Sequence, residues 1–450
     1  MRTISSFEEA KAVLSHPRFQ PGELPCQVSQ KIQEVFGKAI TAEEAVARII
    51  ADVQSRGDAA VLDYSQRLDG VKPASLRVSR EEIQAAFKKA DPSLVSALRT
   101  AAEQVRSFHQ MQMRYGPKEF AMSGLQQMIH PIERVGIYVP GGTACYPSTV
   151  LMSAIPARVA GVQEVVLATP PKTDGEVPAA TLVAAEIASV DAVFKVGGAQ
   201  AVAALAFGTQ SIPKVDKICG PGGLFVVLAK KAVFGIVDID GLAGPTETIV
   251  VADDSADPAL CAADLLAQAE HDVLASVILI TTSAKLARAT SQELERQLRR
   301  LDRAAIARQS LDRAGLVLIV ADMDQAVELV NLYAPEHLSL MTRDASSYAT
   351  KIRNAAGIFI GDASPETLGD YVAGPSHIMP TGGTARFRSP LGISDFLKVT
   401  TIVSFEKSNL EQLGPAAAII ARAEGFTAHA HAVEMRLGRG ADNEPVSHDN

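Results

Sequence analysis

The chain has 450 residues, 47% hydrophobic and 21% charged, with a formal net charge of −8. That length calls for more than one domain and a large core, and the balance is that of a soluble globular protein. The acidic charge excludes a general nucleic-acid binder, which needs a basic face, but not a small anionic cofactor held by backbone amides. The opening MRTISSFEEAK lacks the apolar core of a signal peptide, and no later run reaches membrane-spanning length, so the cytoplasm is the expected compartment. Cys26, Cys145, Cys219 and Cys261 are scattered with no CxxC pair. They read as small core residues rather than as a disulfide framework or a thiolate zinc site.

Residues 1 to about 125 read as helical. Thr41-Ala-Glu-Glu44 is a capping box ahead of Val46, Ile49, Ile50 and Val53 at helical spacing, and Ser79-Arg-Glu-Glu82 repeats the signal before Ile83, Ala86 and Phe87. The run to Met113 has the polarity of a surface helix and offers no chemistry; His109 on it reads as a packed or exposed helix residue rather than a ligand.

Near Pro131 the texture changes to short apolar strands alternating with helices. Strands are predicted at 134–139, 164–169, 192–196 and 215–219, with helices at 149–160, 179–188 and 224–234. A second block follows. It has strands at 248–252, 277–282, 316–320, 338–341 and 357–360, and helices at 257–271, 286–299 and 323–332. Alternation of this kind predicts a mostly parallel sheet covered on both faces. Two blocks of similar plan suggest duplication, although no strong internal repeat is visible. Three strand ends run into glycine turns, at Pro140-Gly-Gly142, Gly197-Gly-Ala-Gln200 and Gly220-Pro-Gly-Gly223. Such turns can bring backbone N–H groups to an anion at a helix N-terminus, and more commonly they are only geometry. Neither GxGxxG nor GxxxxGK[ST] is present. Residues 361–388 are rich in Gly, Pro, Ser and Thr, and a loop of that length in a compact protein is functional or disordered. A strand at 399–404 and helices from Leu410 and Thr427 close the fold, and the polar tail after Leu437 is expected to be disordered.

Four polar segments stand out. Ala334-Pro-Glu-His-Leu338 sets an acid beside a base whose ordinary pKa values lie on the acidic side of neutrality. Pro335 restrains Ala334 and fixes the entry to the turn. Gln268 and His271, at i and i+3, share a helix face and can bind one metal or merely form a polar helix edge. Asp370 lies in the glycine-rich loop as a ligand or a turn residue. His429 stands two residues from His431, so at most one of the pair is a ligand. His377 is on the loop, within reach of substrate or water.

These residues match a known pattern. Arg134-Val-Gly-Ile-Tyr-Val-Pro-Gly-Gly142, Tyr146-Pro-Ser-Thr-Val-Leu-Met152, Gly197-Gly-Ala-Gln200, Gln268-Ala-Glu-His271, Ala334-Pro-Glu-His337 and Gly369-Asp-Tyr371 together resemble the histidinol dehydrogenase family, over about residues 30 to 437. The resemblance implies an α/β fold of two incomplete Rossmann-like parallel-sheet domains with helical N- and C-terminal extensions. It implies an N-terminal extension over 1–30, a first α/β domain with a helical part from 31–130 and 245–380, and a second Rossmann-like domain over 131–244. A C-terminal extension over 381–437 would cross to the partner subunit, followed by the tail at 438–450. The activity implied is the two-step, NAD-dependent oxidation of L-histidinol to L-histidine through a bound aldehyde, by a zinc-dependent homodimer.

Carried over, Gln268, His271 and Asp370 resemble zinc ligands from one subunit, and His429 resembles the fourth, donated by the other. His337 resembles the base of each oxidation, and Glu336 the residue that activates water. Tyr138 and Gln200 correspond to NAD contacts. Thr246, His377 and Glu424 fall at substrate-contacting positions, along with the zinc ligands and His337. Three positions depart from the family pattern. Gly223 stands where an Asn contacting NAD is usual, Thr246 where Ser is usual, and Ser376 where Asn is usual. They leave room for a paralogue that oxidises another amino- or sulfo-substituted alcohol. A binding protein that had lost turnover would show drift at Glu336 and His337, which are intact.

Overall fold

The computed structural model describes residues 1–15, 26–37, 39–141 and 144–438. Gly142, the side chain of Cys26 and the tail beyond Gly438 lie outside them. The described residues form two compact units, one within 1–115 and 131–396 and the other within 116–130 and from 397 onward.

In chain order the strands are β1 (Arg2–Ile4), then β2 (Phe120–Met122) and β3 (Leu125–Pro131), then β4 (Arg134–Tyr138), β5 (Glu164–Thr169), β6 (Ala192–Lys195), β7 (Lys217–Cys219) and β8 (Asp238–Ile239). They continue with β9 (Glu247–Ala252), β10 (Ser276–Thr281), β11 (Leu316–Ile319), β12 (His337–Met341), β13 (Gly357–Ile360) and β14 (Leu397–Val403). The larger unit holds two parallel sheets, in the orders β6-β5-β4-β7-β8 and β1-β11-β10-β9-β12-β13. Numbered from its own first strand, each block winds 3-2-1-4-5, the Rossmann-like order with a reversal beside the first strand. Both are incomplete Rossmann-like folds, as expected.

The strands read as apolar runs because both faces are covered. In the second sheet Val250, Leu279 and Val317 pack on one side with Cys261, Leu265 and Leu294. Their neighbours Ile249, Ile278, Ile280 and Leu340 pack on the other with Leu329 and Tyr333, as the period-2 alternation of a strand requires. Around the first sheet Val166, Phe194 and Ile218 share a core with Val202 and Leu205 and with Val46, Ile49 and Val53 of the helix Ala42–Arg56. Both predicted capping boxes form, at Thr41 and Ser79.

Several expectations need correcting. The segment up to residue 125 is not helical throughout, because β1 pairs with β11 and β2 pairs antiparallel with β3. β1 is too short to show alternation. The helix Ala304–Ala314 and strand β8 also escaped the sequence reading. His109 needs no correction: it is a packed helix residue, fully buried with its Nδ1 2.7 Å from the Val105 carbonyl oxygen. Cys219 and Cys261 are core residues, but Cys145 is exposed. Asp370 is not in a loop: it lies on the short helix Glu366–Tyr371. No helix among the described residues is long and apolar enough to cross a membrane.

In the smaller unit β14 lies beside β3. The helices Lys407–Ala423 and Thr427–Arg436 pack on each other, with Gly414 letting Val433 and Leu437 approach. Ile419 and Ile420 remain 70% and 59% exposed in a single chain, so an apolar stripe faces outward.

Candidate active site

β9 and β12 are neighbours in register, His337 opposite Thr248, and their amino ends gather the polar residues. Glu336 precedes β12, and its carboxylate accepts from the Thr246 hydroxyl at 2.6 Å and from the Glu247 N–H at 3.1 Å. His337 is the first residue of β12 and is 3% exposed. Its Nε2 stands 3.0 Å from Asp370 Oδ1, and its Nδ1 lies 3.6 Å from Glu336 Oε2 with no hydrogen-bond partner. The ring stacks on Phe359 at 5.9 Å between centroids. Gly369 is what admits Phe359: a Cβ there would sit 2.4 Å from the ring. The chain enters β12 through Ala334, which closes the helix Met323–Tyr333 in the left-handed region at φ 55°. Pro335 bars this preceding residue from continuing the helix.

Burial opposes a charge on His337, yet the carboxylates of Glu336, Asp370 and Glu366 outweigh it and hold the imidazole well above its ordinary pKa. Asp370 responds oppositely: burial raises it, but His337, His377 and His271 bring its carboxyl below the usual range.

Gln268 is buried near the end of the helix Pro258–Ala269. Its Oε1 is 3.0 Å from the Thr246 hydroxyl, and its Nε2 donates to Glu366 Oε2 at 3.2 Å. His271 lies beyond that helix, its N–H donating to the Gln268 carbonyl, and it is exposed. His377 has both ring nitrogens engaged: Nδ1 lies 2.7 Å from the Asp370 carbonyl oxygen and Nε2 2.9 Å from the Thr149 hydroxyl. Ser376 is buried, and its hydroxyl accepts from the Ile378 N–H. Glu424 and His429 belong to the smaller unit, where both are exposed. The single chain therefore gathers Thr246, Gln268, Glu336, His337, Asp370 and His377 by direct contacts, and leaves Glu424 and His429 on a surface.

The expected NAD contacts lie elsewhere, at the carboxyl ends of β4 and β6. Tyr138 accepts from the Gly198 N–H at 3.1 Å, and the buried Gln200 donates from Nε2 to Asp69 at 3.1 Å. The turn after β7 is braced from within. The Gly220 N–H donates to Asp240 at 2.6 Å, and the Gly220 carbonyl accepts from Lys230, which also pairs with Asp240. At two of the three glycine turns, then, one of the N–H groups offered for an anion is already taken. Gly223 begins the helix Leu224–Val233 without a side-chain cap, and a Cβ there would meet nothing within 4 Å.

Sequence reading missed Glu366, Thr248, Ser339, Asp264, Thr149 and Asp69. Thr248 and Ser339 sit inside apolar strands, where a hydroxyl reads as a tolerated β-former. Glu366 follows a proline at a helix start, where an acid reads as an ordinary first-turn residue.

Comparison with known proteins decides the family. The histidinol dehydrogenase family profile matches residues 35–437.

The chain belongs to the histidinol dehydrogenase family.

Among relatives, histidinol dehydrogenase of Dehalococcoides mccartyi strain CBDB1 is 54% identical over 437 residues, covering 97% of this chain and all of that one. The Deinococcus radiodurans histidinol dehydrogenase is 50% identical, covering 95% of this chain and 98% of its own. The crystal structure of histidinol dehydrogenase from Elizabethkingia anophelis superposes with a TM-score of 0.88 at 35% identity, covering 97% of this chain and 98% of that one. The similarity thus runs through both α/β blocks and the C-terminal helices, and histidinol dehydrogenases are oxidoreductases acting on CH–OH groups.

Proposed function

We propose that the protein oxidises L-histidinol to L-histidine in histidine biosynthesis, by a zinc-dependent, NAD-linked four-electron reaction through L-histidinal retained in the site. The observation that carries this reading is the convergence of Thr246, Gln268, Glu336, His337 and Asp370 at the amino ends of β9 and β12. Family membership alone would not require intact chemistry there.

Among the described residues no three His, Cys, Asp or Glu side chains cluster at metal-holding spacing. The expected donor set does not need such a cluster within one chain, since it takes His271 and Asp370 with the amide oxygen of Gln268, and His429 from a second subunit. Nitrogen and oxygen donors suit zinc, and the Gln268 oxygen faces Thr246 with its nitrogen turned the other way. When bound there, zinc supplies a positive charge that offsets the carboxylates around His337 and a template for the substrate's amino and imidazole nitrogens. NAD, received by Tyr138 and Gln200 with Gly223 nearby, supplies the hydride acceptor.

His337 takes the hydroxyl proton as the hydride leaves carbon, and repeats this on the hydrated aldehyde. To accept that proton the imidazole must be neutral, and the charge of a bound metal would offset the carboxylates that otherwise hold a proton on His337. Glu336, fixed by the Thr246 hydroxyl and the Glu247 N–H, takes a proton from the water that attacks the aldehyde. Thr246 keeps the hydroxyl of the usual Ser and adds a methyl on the substrate side. His377, bonded at both ring nitrogens, serves substrate recognition by holding Asp370 against Thr149. Glu424 and His429 complete a site shared across a homodimer. Their exposure, beside the outward-facing Ile419 and Ile420, supports donation to a partner.

The decisive experiment measures NADH formed per L-histidinol consumed by the zinc-loaded protein. Two NADH with histidine as product is the expected result. No NADH from a zinc-loaded dimer would favour the paralogue acting on another substituted alcohol. Mixing inactive His337→Ala and His429→Ala chains tests the shared site, because verified heterodimers should regain part of the activity.

A further inference from the structure

Gln268 poses a hydrogen-bonding problem that Thr246 cannot solve. The Thr246 hydroxyl lies 2.6 Å from Glu336 Oε2 and 3.0 Å from Gln268 Oε1, but it carries one proton. The shorter contact is to a carboxylate, and a hydrogen bond to an ionised acceptor is the stronger of the two. The proton therefore belongs to Glu336, and two oxygen atoms face each other across the Thr246–Gln268 gap. Gln268 is 1% exposed, so its Oε1 is a buried acceptor left short of a donor.

Turning the amide over would remove that defect locally, since Nε2 would then donate to the Thr246 oxygen. Oxygen and nitrogen positions in an amide are assigned by such networks. What forbids the turn is Glu366 on the far side. Its carboxylate, fully buried, accepts from the Gln268 Nε2 at 3.2 Å, from the Ser339 hydroxyl at 3.0 Å and from the Thr248 hydroxyl. With two hydroxyls holding it between β9 and β12, it has no freedom to withdraw. Against the ionised carboxylate, whose pKa burial pushes up to about 7, a turned amide would set oxygen on oxygen.

We propose that Glu366 is a positioning residue that locks the Gln268 amide with its oxygen on the Thr246–Glu336 side, so that the unsatisfied oxygen is a ready-made donor for the metal. This rests on the reading of Gln268 as a zinc ligand. Partners that fix the orientation of a metal ligand typically change metal affinity by about 10–100-fold when removed.

The test measures zinc affinity by chelator competition in the wild-type protein, Glu366→Met and Glu366→Gln. Glu366→Met removes every acceptor and frees the amide to turn, so its affinity should fall at least tenfold. Glu366→Gln retains one acceptor oxygen for Gln268 Nε2 while its own NH2 can donate to Thr248 or Ser339, so it should stay within about threefold of wild type. Equal affinity in Glu366→Met and wild type overturns the proposal. Equal loss in Met and Gln variants also overturns it, by showing that charge rather than amide orientation matters. If Glu366→Met does not fold, Glu366→Asp, which draws the carboxylate back by one methylene, is read in its place, and unchanged affinity there has the same meaning. A wild-type protein that binds no zinc removes the zinc reading itself, which is a separate result.

Discussion

The Nε2 of His337 and the Oδ1 of Asp370 stand 3.0 Å apart, so the candidate base and a candidate metal ligand share a hydrogen bond. Replacing either one changes the surroundings of the other. His337→Ala should reduce kcat by at least 100-fold, the contribution expected of a positioned base, while zinc content stays near one per chain because Gln268, His271 and Asp370 remain. Turnover near wild type would take His337 out of the base role.

Gly369 tests the same relationship from behind. A Cβ there would lie 2.4 Å from the Phe359 ring, which stacks on His337. Gly369→Ala must displace Phe359, and overpacking of this kind costs about 1–3 kcal/mol. The expected outcome is a lower kcat together with a lower Tm, and an unchanged kcat would show that the stack does not orient the imidazole.

Gly223→Asn should improve cofactor binding. The position has open space around a Cβ and heads an uncapped helix. One added hydrogen bond is worth about 0.5–1.5 kcal/mol, roughly 2–10-fold in the Kd for NAD. Titration calorimetry with NAD checks this, and an unchanged Kd would separate position 223 from the cofactor.

Lys230 and Asp240 form an ion pair with side chains only 2% and 5% exposed, and together they hold the backbone of Gly220. Lys230→Met leaves Asp240 buried without its cation, a loss of about 3–5 kcal/mol. Denaturant unfolding measures it. A loss below about 1 kcal/mol would show that Asp240 relaxes into water.

Asp264 supplies a pH signature. Burial raises its carboxyl from the usual 3.8 to about 6. Because the folded state holds this proton more tightly than the unfolded chain, its contribution to stability is full below about pH 4 and is lost as pH rises through 6. Asp264→Asn escapes that loss. Its stability relative to wild type should therefore improve between pH 4 and pH 8, by up to about 3 kcal/mol. A difference that does not vary with pH would mean that Asp264 stays charged without penalty.

Much of this architecture was readable in the sequence, for identifiable reasons. Strands such as Thr248–Ala252 and Leu338–Met341 are continuous apolar runs, and the boxes at Thr41 and Ser79 name their own helices. Glu336, His337, Gln268, His271 and Asp370 were visible as motifs; Glu336 and Gln268 meet at the Thr246 hydroxyl, and His337 and Asp370 pair beside them. β1 was hidden because three residues carry no period and its partner β11 lies more than 300 residues away. Glu366 and Ser339 were hidden because their role exists only through contacts across strands. His429 carries no local sign of its use, since its expected partners are not on its own chain.

Finally, His337 belongs to β12, which is hydrogen-bonded on one side to β9 and on the other to β13. A residue at the start of a strand paired on both sides cannot carry its backbone between two chemical steps without breaking those ladders. On the proposed reaction, the two oxidations share a stationary proton acceptor, and it is the reacting carbon that must turn. The turn between the first hydride and the second would then fall to the substrate and not to the backbone that carries the base.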